Sequence, residues 1–237
     1  MAEAVTPTGA DPGAIFDAHV RAEFVERDIE ATMATMSASP YVTHVPVLTG
    51  GCGREEVQQF YSRYFIGRWP ADTQIAPVSR TSGQGRVIDE LIMRFTHDVA
   101  MPALLPGVSP TGRKVELPVV VVMGIEDGKV TYEHIYWDQA SLLVQVGLLD
   151  PARLPVSGGE QAHKLLDPTL PSNAHSPGRS AAGELRRPLG HGRSAQLSHR
   201  GRDLTDLHLI VRARVALVQA RSACRSSPAA RQHGRRS

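Results

Sequence analysis

Apolar residues along the first third of the chain recur at helical spacing. Ile15, Phe16, Val20, Phe24, Val25, Ile29 and Met33 lie three or four residues apart after Asp11-Pro12, a helix-start signal, and predict one amphipathic helix over 14–36 with a break near Asp28. Pro40 stops it. Residues 41–48 are β-branched enough for a short strand, and Pro46 places that strand at an edge or a bulge. After the turn Gly50-Gly51-Cys52-Gly53, residues 54–66 put Val57, Phe60, Tyr61, Tyr64 and Phe65 on one side of a second helix. The period then changes from helical to alternating. Strands are predicted over 73–81 and 86–97 around Ser82-Gly83-Gln84-Gly85, and over 114–125 and 130–138 around Glu126-Asp127-Gly128-Lys129.

Helices followed by a run of strands point to an α+β domain. Two helices would pack on one face of a curved antiparallel sheet, and the open end of the resulting cone is the natural place for a ligand.

Composition divides the chain. All twelve aromatic residues lie at or before Trp137. Residues 1–168 carry 13 basic and 21 acidic side chains, whereas residues 169–237 carry 13 arginines, no lysine and only 3 acids. The expected organisation is an Ala/Thr/Pro/Gly-rich lead over 1–13, a folded domain over 14–168 and an Arg-rich low-complexity tail over 169–237. Three readings of the tail follow: a basic nucleic-acid arm, a disordered solvated tail, or a GC-rich gene translated out of frame. Arginine without lysine, among Ala, Gly, Pro, Ser and His, favours the last. The lack of interleaved aromatics argues against a nucleic-acid partner.

Cys52 and Cys224 fall one in each region, with no CxxC pair, so neither a disulfide framework nor a cysteine metal site is expected. No signal peptide or membrane span is legible, and a cytoplasmic location is expected. There is no HExxH, Walker loop or GxGxxG, and Gly50-Gly51-Cys52-Gly53-Arg54 fails as a nucleophile elbow at its last position. No metal or cofactor is expected.

More specific are the runs Asp89-Glu90-Leu91, Phe95-Thr96-His97, Leu105-Pro106-Gly107, Pro110-Thr111-Gly112-Arg113-Lys114, residues 133–139 (EHIYWDQ) and residues 144–149 (VQVGLL). Together they resemble the SnoaL-like branch of the NTF2-like superfamily over most of 14–173. Relatives tend to run through a Leu-Asp-Pro…Ser-Asn-Ala stretch and end soon after. Here Leu166-Asp167-Pro168 and Ser172-Asn173-Ala174 match before the likeness stops, in keeping with the out-of-frame reading of the tail. The resemblance implies the cone and a cofactor-independent acid–base enzyme of polyketide-cyclase or isomerase type. It leaves open a lactone, ester or epoxide hydrolase and a non-catalytic ligand-binding or dimerisation module. A small hydrophobic substrate and a homodimer are the implied partners.

Alternation in the closing strand separates His134, Tyr136 and Asp138 from Glu133, Ile135 and Trp137. The first set is the favoured inward face, because three polar tips would then converge in an apolar cone. The other phase would present Glu133 and Trp137. In the neighbouring strand Glu90 and Arg94 share one face, while Asp89, Leu91 and His97 share the other. A carboxylate enclosed by apolar walls gains basicity. Asp138 and Glu90 are therefore the candidate bases, with His134 and His44 as catalytic partners. Tyr136, Trp137, His97, Tyr61 and Leu105 are the candidate substrate contacts. The loop over 100–112 is a candidate apolar lid.

Overall fold

A computed structural model describes residues 11–173, so the readings of the tail from 174 onward lie outside the described residues. The expected first helix is divided in two. α1 (Pro12–Arg21) is capped by Asp11, widens into a π-helical turn at Ala22–Glu26 and ends at Arg27, whose φ is 54°. Asp28 then caps α2 (Ile29–Thr35) through the Ala31 N–H. The break expected near Asp28 thus has a left-handed residue and a fresh N-cap as its cause.

β1 (Met36–His44) follows directly and pairs with the short β2 (Thr49–Cys52). α3 (Arg54–Phe60) also widens into a π turn, Tyr61–Phe65. The two predicted hairpins are β3 (Gln74–Gly83) with β4 (Arg86–Thr96), and β5 (Lys114–Glu126) with β6 (Lys129–Trp137). α4 (Gln139–Gln145) and α5 (Glu160–Leu166) close the described chain. The sheet is curved, unclosed and six-stranded in the order β2-β1-β6-β5-β4-β3. β1 runs parallel to β6, and every other neighbouring pair is antiparallel. This confirms an α+β fold, with α1 lying across β3, β4, β5 and β6.

Two register shifts decide which side chains meet α1. Between Gly124 and Ile125 of β5 the partner on β6 jumps from Tyr132 to Val130, leaving Thr131 unpaired. An extra residue reverses the alternation beyond it, so Val130 and Glu133 both turn toward the core. Tyr132 is thrown to the opposite face, where its ring lies over Gly124; a β-carbon there would sit 2.0 Å from the ring. A second shift, between Pro77 and Ser79 of β3, leaves Val78 unpaired and brings Arg80 to the same side as Ile75 and Pro77.

The loop expected as a lid is packed into the core. Met101, Ala103, Leu104 and Leu105 are buried, and the Ala103 carbonyl accepts from Thr49 and from His44. No described helix is long and apolar enough to cross a membrane.

Candidate active site

A cavity of about 270 Å³ opens between α1 and the inner face of the sheet. Its walls are largely apolar, with Phe16, Val20, Phe24, Phe65, Leu91, Met93, Val119, Val121, Met123 and Ile135. Its polar lining is Asp17, Glu23, His44, Arg80, Asp89 and Glu133.

Behind Glu23 and Glu133 lies a fully enclosed cluster. His19, on the last turn of α1, places Nε2 at 3.0 Å from Glu133 Oε1, 3.3 Å from Glu23 Oε1 and 3.2 Å from the Tyr61 hydroxyl. Tyr61 donates to Glu133 Oε2 at 2.9 Å. Local structure explains the convergence. His19 and Glu23 are one helical turn apart, so they share the face that meets β6. Glu23 and Tyr61 both lie on the π turns, a distortion often found at functional sites.

Hydrogen-bond polarity fixes the protons. The Thr35 hydroxyl donates to the Thr32 carbonyl at 2.6 Å, so its oxygen accepts from His19 Nδ1 at 2.5 Å. Nδ1 therefore carries a proton, and Nε2 is the nitrogen aimed at the carboxylates. Burial works against a charged imidazole here, but the charges of Glu133 and Glu23 and their hydrogen bonds overcome it, raising the His19 pKa to about 10. At neutral pH His19 is a cation. Burial likewise opposes charge on both carboxyls, with different outcomes. For Glu23 burial prevails over the attraction of His19, and its pKa is raised; for Glu133 the His19 charge and the Tyr61 hydroxyl together prevail, and its pKa is lowered. Burial also pushes the Tyr61 phenol well up, so it stays protonated.

His44 faces the cavity from β1 and lies within 5.3–5.7 Å, ring centre to ring centre, of Phe60, Phe65 and Trp137. Because the Thr49 hydroxyl donates to the Ala103 carbonyl, the His44 Nδ1 proton is directed to Ala103 at 3.2 Å and Thr49 Oγ1 at 3.0 Å. Nε2 is left as the acceptor. Burial lowers the His44 pKa to about 4, against the smaller opposing effects of Ala103 and Glu133.

The cavity-facing phase of β6 is the reverse of the favoured one. His134 points to the opposite face, with its ring centre 4.9 Å from that of Tyr132 and 5.5 Å from that of Tyr41. Tyr136 is 42% exposed on that face. Asp138 is exposed and caps α4, accepting from the Ala140 and Ser141 N–H groups and from Gln161. Glu90 also faces away, accepting from Ser79 at 3.0 Å, while its neighbour Asp89 faces the cavity. The reason is the extra residue at Thr131 on β6 and, on β4, simple alternation with Val87, Leu91 and Met93 inward.

Trp137 is buried edge-on to His44, and Tyr61 sits in the enclosed cluster behind the cavity wall. His97 shares the inward face of β4 but lies beyond the cavity, accepting or donating at Nδ1 with Thr111 at 3.1 Å. Leu105 is core. Of the predicted site residues, His44 lines the cavity, with Trp137 packed against it and Tyr61 behind the wall, while His134, Tyr136, Asp138, Glu90, His97 and Leu105 lie outside it. His19, Glu23, Asp89 and Arg80 were missed as candidates, and Glu133 appeared only with the less favoured phase of the closing strand. A signal for two of them was present, since His19 and Glu23 fall among Phe16, Val20 and Phe24 on the apolar stripe that runs from α1 into its π turn.

Among the described residues, His19, Glu23 and Glu133 form the one group whose ligand atoms lie close enough, within 4.8 Å, to hold a metal ion. A cation would have to displace the Nε2 proton of His19, which is held up to about pH 10.

Residues 16–133 match the family model of the SnoaL-like domain. The chain carries a SnoaL-like domain. No curated protein matches it. Solved structures similar to this SnoaL-like chain include a hypothetical protein of ketosteroid isomerase-like fold from Catenulispora acidiphila, 14% identical, covering 61% of this chain and 96% of that one, with a TM-score of 0.45. An NTF2-like protein from Burkholderia pseudomallei is 20% identical over 57% of this chain and 97% of that one, with a TM-score of 0.44. A protein described as a SnoaL-like polyketide cyclase, from Jannaschia sp. CCS1, is 16% identical over 63% of this chain and the whole of that one, with a TM-score of 0.48.

The Thr35 contact yields a prediction that needs no substrate. Thr35→Val removes the acceptor for His19 Nδ1 and leaves a buried N–H unsatisfied. In histidine-labelled protein followed by nitrogen NMR, the His19 ring should titrate about one unit or more lower, and Thr35→Ser should restore it. An unchanged titration in Thr35→Val would remove Thr35 from the account.

His44 yields a second. Its unfolded imidazole takes up a proton near the ordinary 6.5 and the folded one only near 4, so its contribution is complete above 6.5 and is lost as pH falls through that window. The loss reaches about 3 kcal/mol at most. Urea denaturation of His44→Gln should show a correspondingly shallower decline between pH 7 and pH 4 than the native chain.

Proposed function

We propose that this chain is a cofactor-independent acid–base enzyme of the isomerase or cyclase type, moving a proton on a small hydrophobic carbonyl compound. One observation carries the reading. Two carboxyls line the same apolar cavity with pKa values displaced in opposite directions, Glu23 up and Glu133 down. Environments that push paired carboxyls apart assign one as acid and the other as base.

In this reading Glu133 accepts the proton from the carbon beside the carbonyl, and negative charge develops on the carbonyl oxygen. Glu23, whose carboxyl burial makes harder to ionise, acts in its acid form and donates a hydrogen bond, or its proton, to that oxygen. Glu133 then returns its proton to a different carbon while Glu23 recovers any proton it lent, which isomerises the compound, or the enolate carbon attacks a second carbonyl and the alkoxide so formed takes the proton from Glu133, which closes a ring. His19 and Tyr61 touch no substrate. They are positioning residues that hold Glu133 ionised and fixed. Neutral His44, with Nε2 as the acceptor, orients a substrate hydroxyl from β1, the strand beside that of Glu133.

The test is deuterium exchange. Cyclic ketones of one to four rings are incubated with the full chain in D₂O, and loss of the α-proton signal is followed by NMR. The reading requires catalysed exchange for at least one of them. Failure of all to exchange faster than in buffer, despite calorimetrically measured binding, would overturn it.

A further inference from the structure

The cavity also carries information about the ligand. Among the described residues that line it, Arg80 is the only arginine or lysine, and the natural counter-charge for an acidic substrate. It is already engaged. Asp89 accepts from Nε and Nη2 at 2.5 and 2.7 Å, Asp17 accepts from Nη2 at 2.8 Å, and the guanidinium carbon lies 4.7 Å over the centre of the Phe16 ring. The Asp89 side chain is only 8% exposed and that of Arg80 35%, so the Asp89 half of this fork is the part withdrawn from water. Behind the cavity wall the His19 charge is engaged by Glu133 and Glu23.

Volume sets the second limit. At the packing density of protein interiors, about three quarters, a 270 Å³ space accepts a molecule on the order of a dozen non-hydrogen atoms. Two fused six-membered rings with one carbonyl fill that space; four fused rings exceed it.

We propose that the cavity selects uncharged two-ring carbonyl compounds and rejects carboxylates, with the Asp17–Arg80–Asp89 clamp as the charge filter. This rests on the acid–base reading for the role of the carbonyl, but the filter and the size limit concern binding alone. An incoming carboxylate meets Asp89 and Glu133 without a free cation to receive it, and it would have to shed its hydration in an apolar chamber. A neutral ketone meets none of these penalties and presents its oxygen to the Glu23 carboxyl. Asp17 is the accessible half of the clamp, its side chain being 64% exposed. Its removal releases part of the guanidinium with little disturbance to the core.

Calorimetric titration of the full chain tests this with three probes: 1-tetralone, 1-naphthoate and progesterone. Tetralone should bind at least about tenfold more tightly than naphthoate, and progesterone should not bind measurably. In Asp17→Asn the preference should shift toward naphthoate, whose affinity relative to tetralone should gain about tenfold. Val121→Trp, which fills the chamber, should abolish tetralone binding and thereby locate it. Equal or tighter binding of naphthoate by the native chain, measurable progesterone binding, absence of tetralone binding, or no gain in Asp17→Asn would each overturn the proposal. Tetralone that binds as expected but never exchanges its α-protons sinks the catalytic reading and leaves the ligand class standing. Exchange seen only with larger or charged ketones does the reverse.

Discussion

Glu133→Gln should lower ketone-exchange activity by about 10²–10⁴, the usual contribution of a positioned general base, with the fold retained. The amide keeps the size of the carboxylate but cannot take a proton. It also turns an N–H₂ group toward either His19 or the Tyr61 hydroxyl, both of which donate to the native carboxylate. The loss should appear in kcat and not in KM, since the side chain acts on the transferring proton more than on ground-state binding. Glu23→Gln keeps a hydrogen-bond donor toward the substrate oxygen and should cost less, on the order of tenfold. A native circular dichroism spectrum at the assay temperature, held below the lowered melting point, would show that the loss is chemical. Glu133→Gln with undiminished exchange would remove this residue as the base.

The second large effect is on stability. His19→Leu leaves two buried carboxyls without the cation that compensates them, and removal of one member of a buried ionic cluster costs about 3–5 kcal/mol. For a domain of this size that corresponds to a melting point lower by roughly 10 °C. The magnitude separates this contact from the surface pairs. Arg21–Glu26, with both side chains largely exposed, should be worth well under about 1 kcal/mol. Replacing the cluster as a whole, His19→Leu with Glu23→Leu and Glu133→Leu, should recover much of the lost stability while abolishing activity. If His19→Leu alone melts at the native temperature, the cluster is not ionised as described.

How much of this was legible beforehand differs from element to element. Asp11-Pro12, the Asp28 break and both hairpin turns announce themselves through residue chemistry that acts locally, and the structure places elements close to where those signals fall. The same local rule sorted β6 into two sets, Glu133 with Trp137 and His134 with Asp138. It could not say which set faces inward. That choice depends on Thr131 having no partner on β5, an event in the pairing of two strands. Arg80 is a parallel case, since Val78 on β3 reverses the alternation that would have turned it outward. Asp138 misled for a related reason: the same carboxylate chemistry that would serve as a base also caps a helix, and the start of α4 claims it.

By itself, then, the sequence determined the α+β class, the succession of helices and hairpins, and the division of each strand into two faces. These follow from periodicities and turn preferences that operate over a few residues. Only the tertiary structure decided the phase of β6, the meeting of His19 and Glu23 on α1 with Tyr61 and Glu133, and the resulting charges. The physical reason is that alternation is a two-valued property, which a single unpaired residue inverts. The charges, moreover, arise from burial and proximity between groups as far apart in the chain as His19 and Glu133.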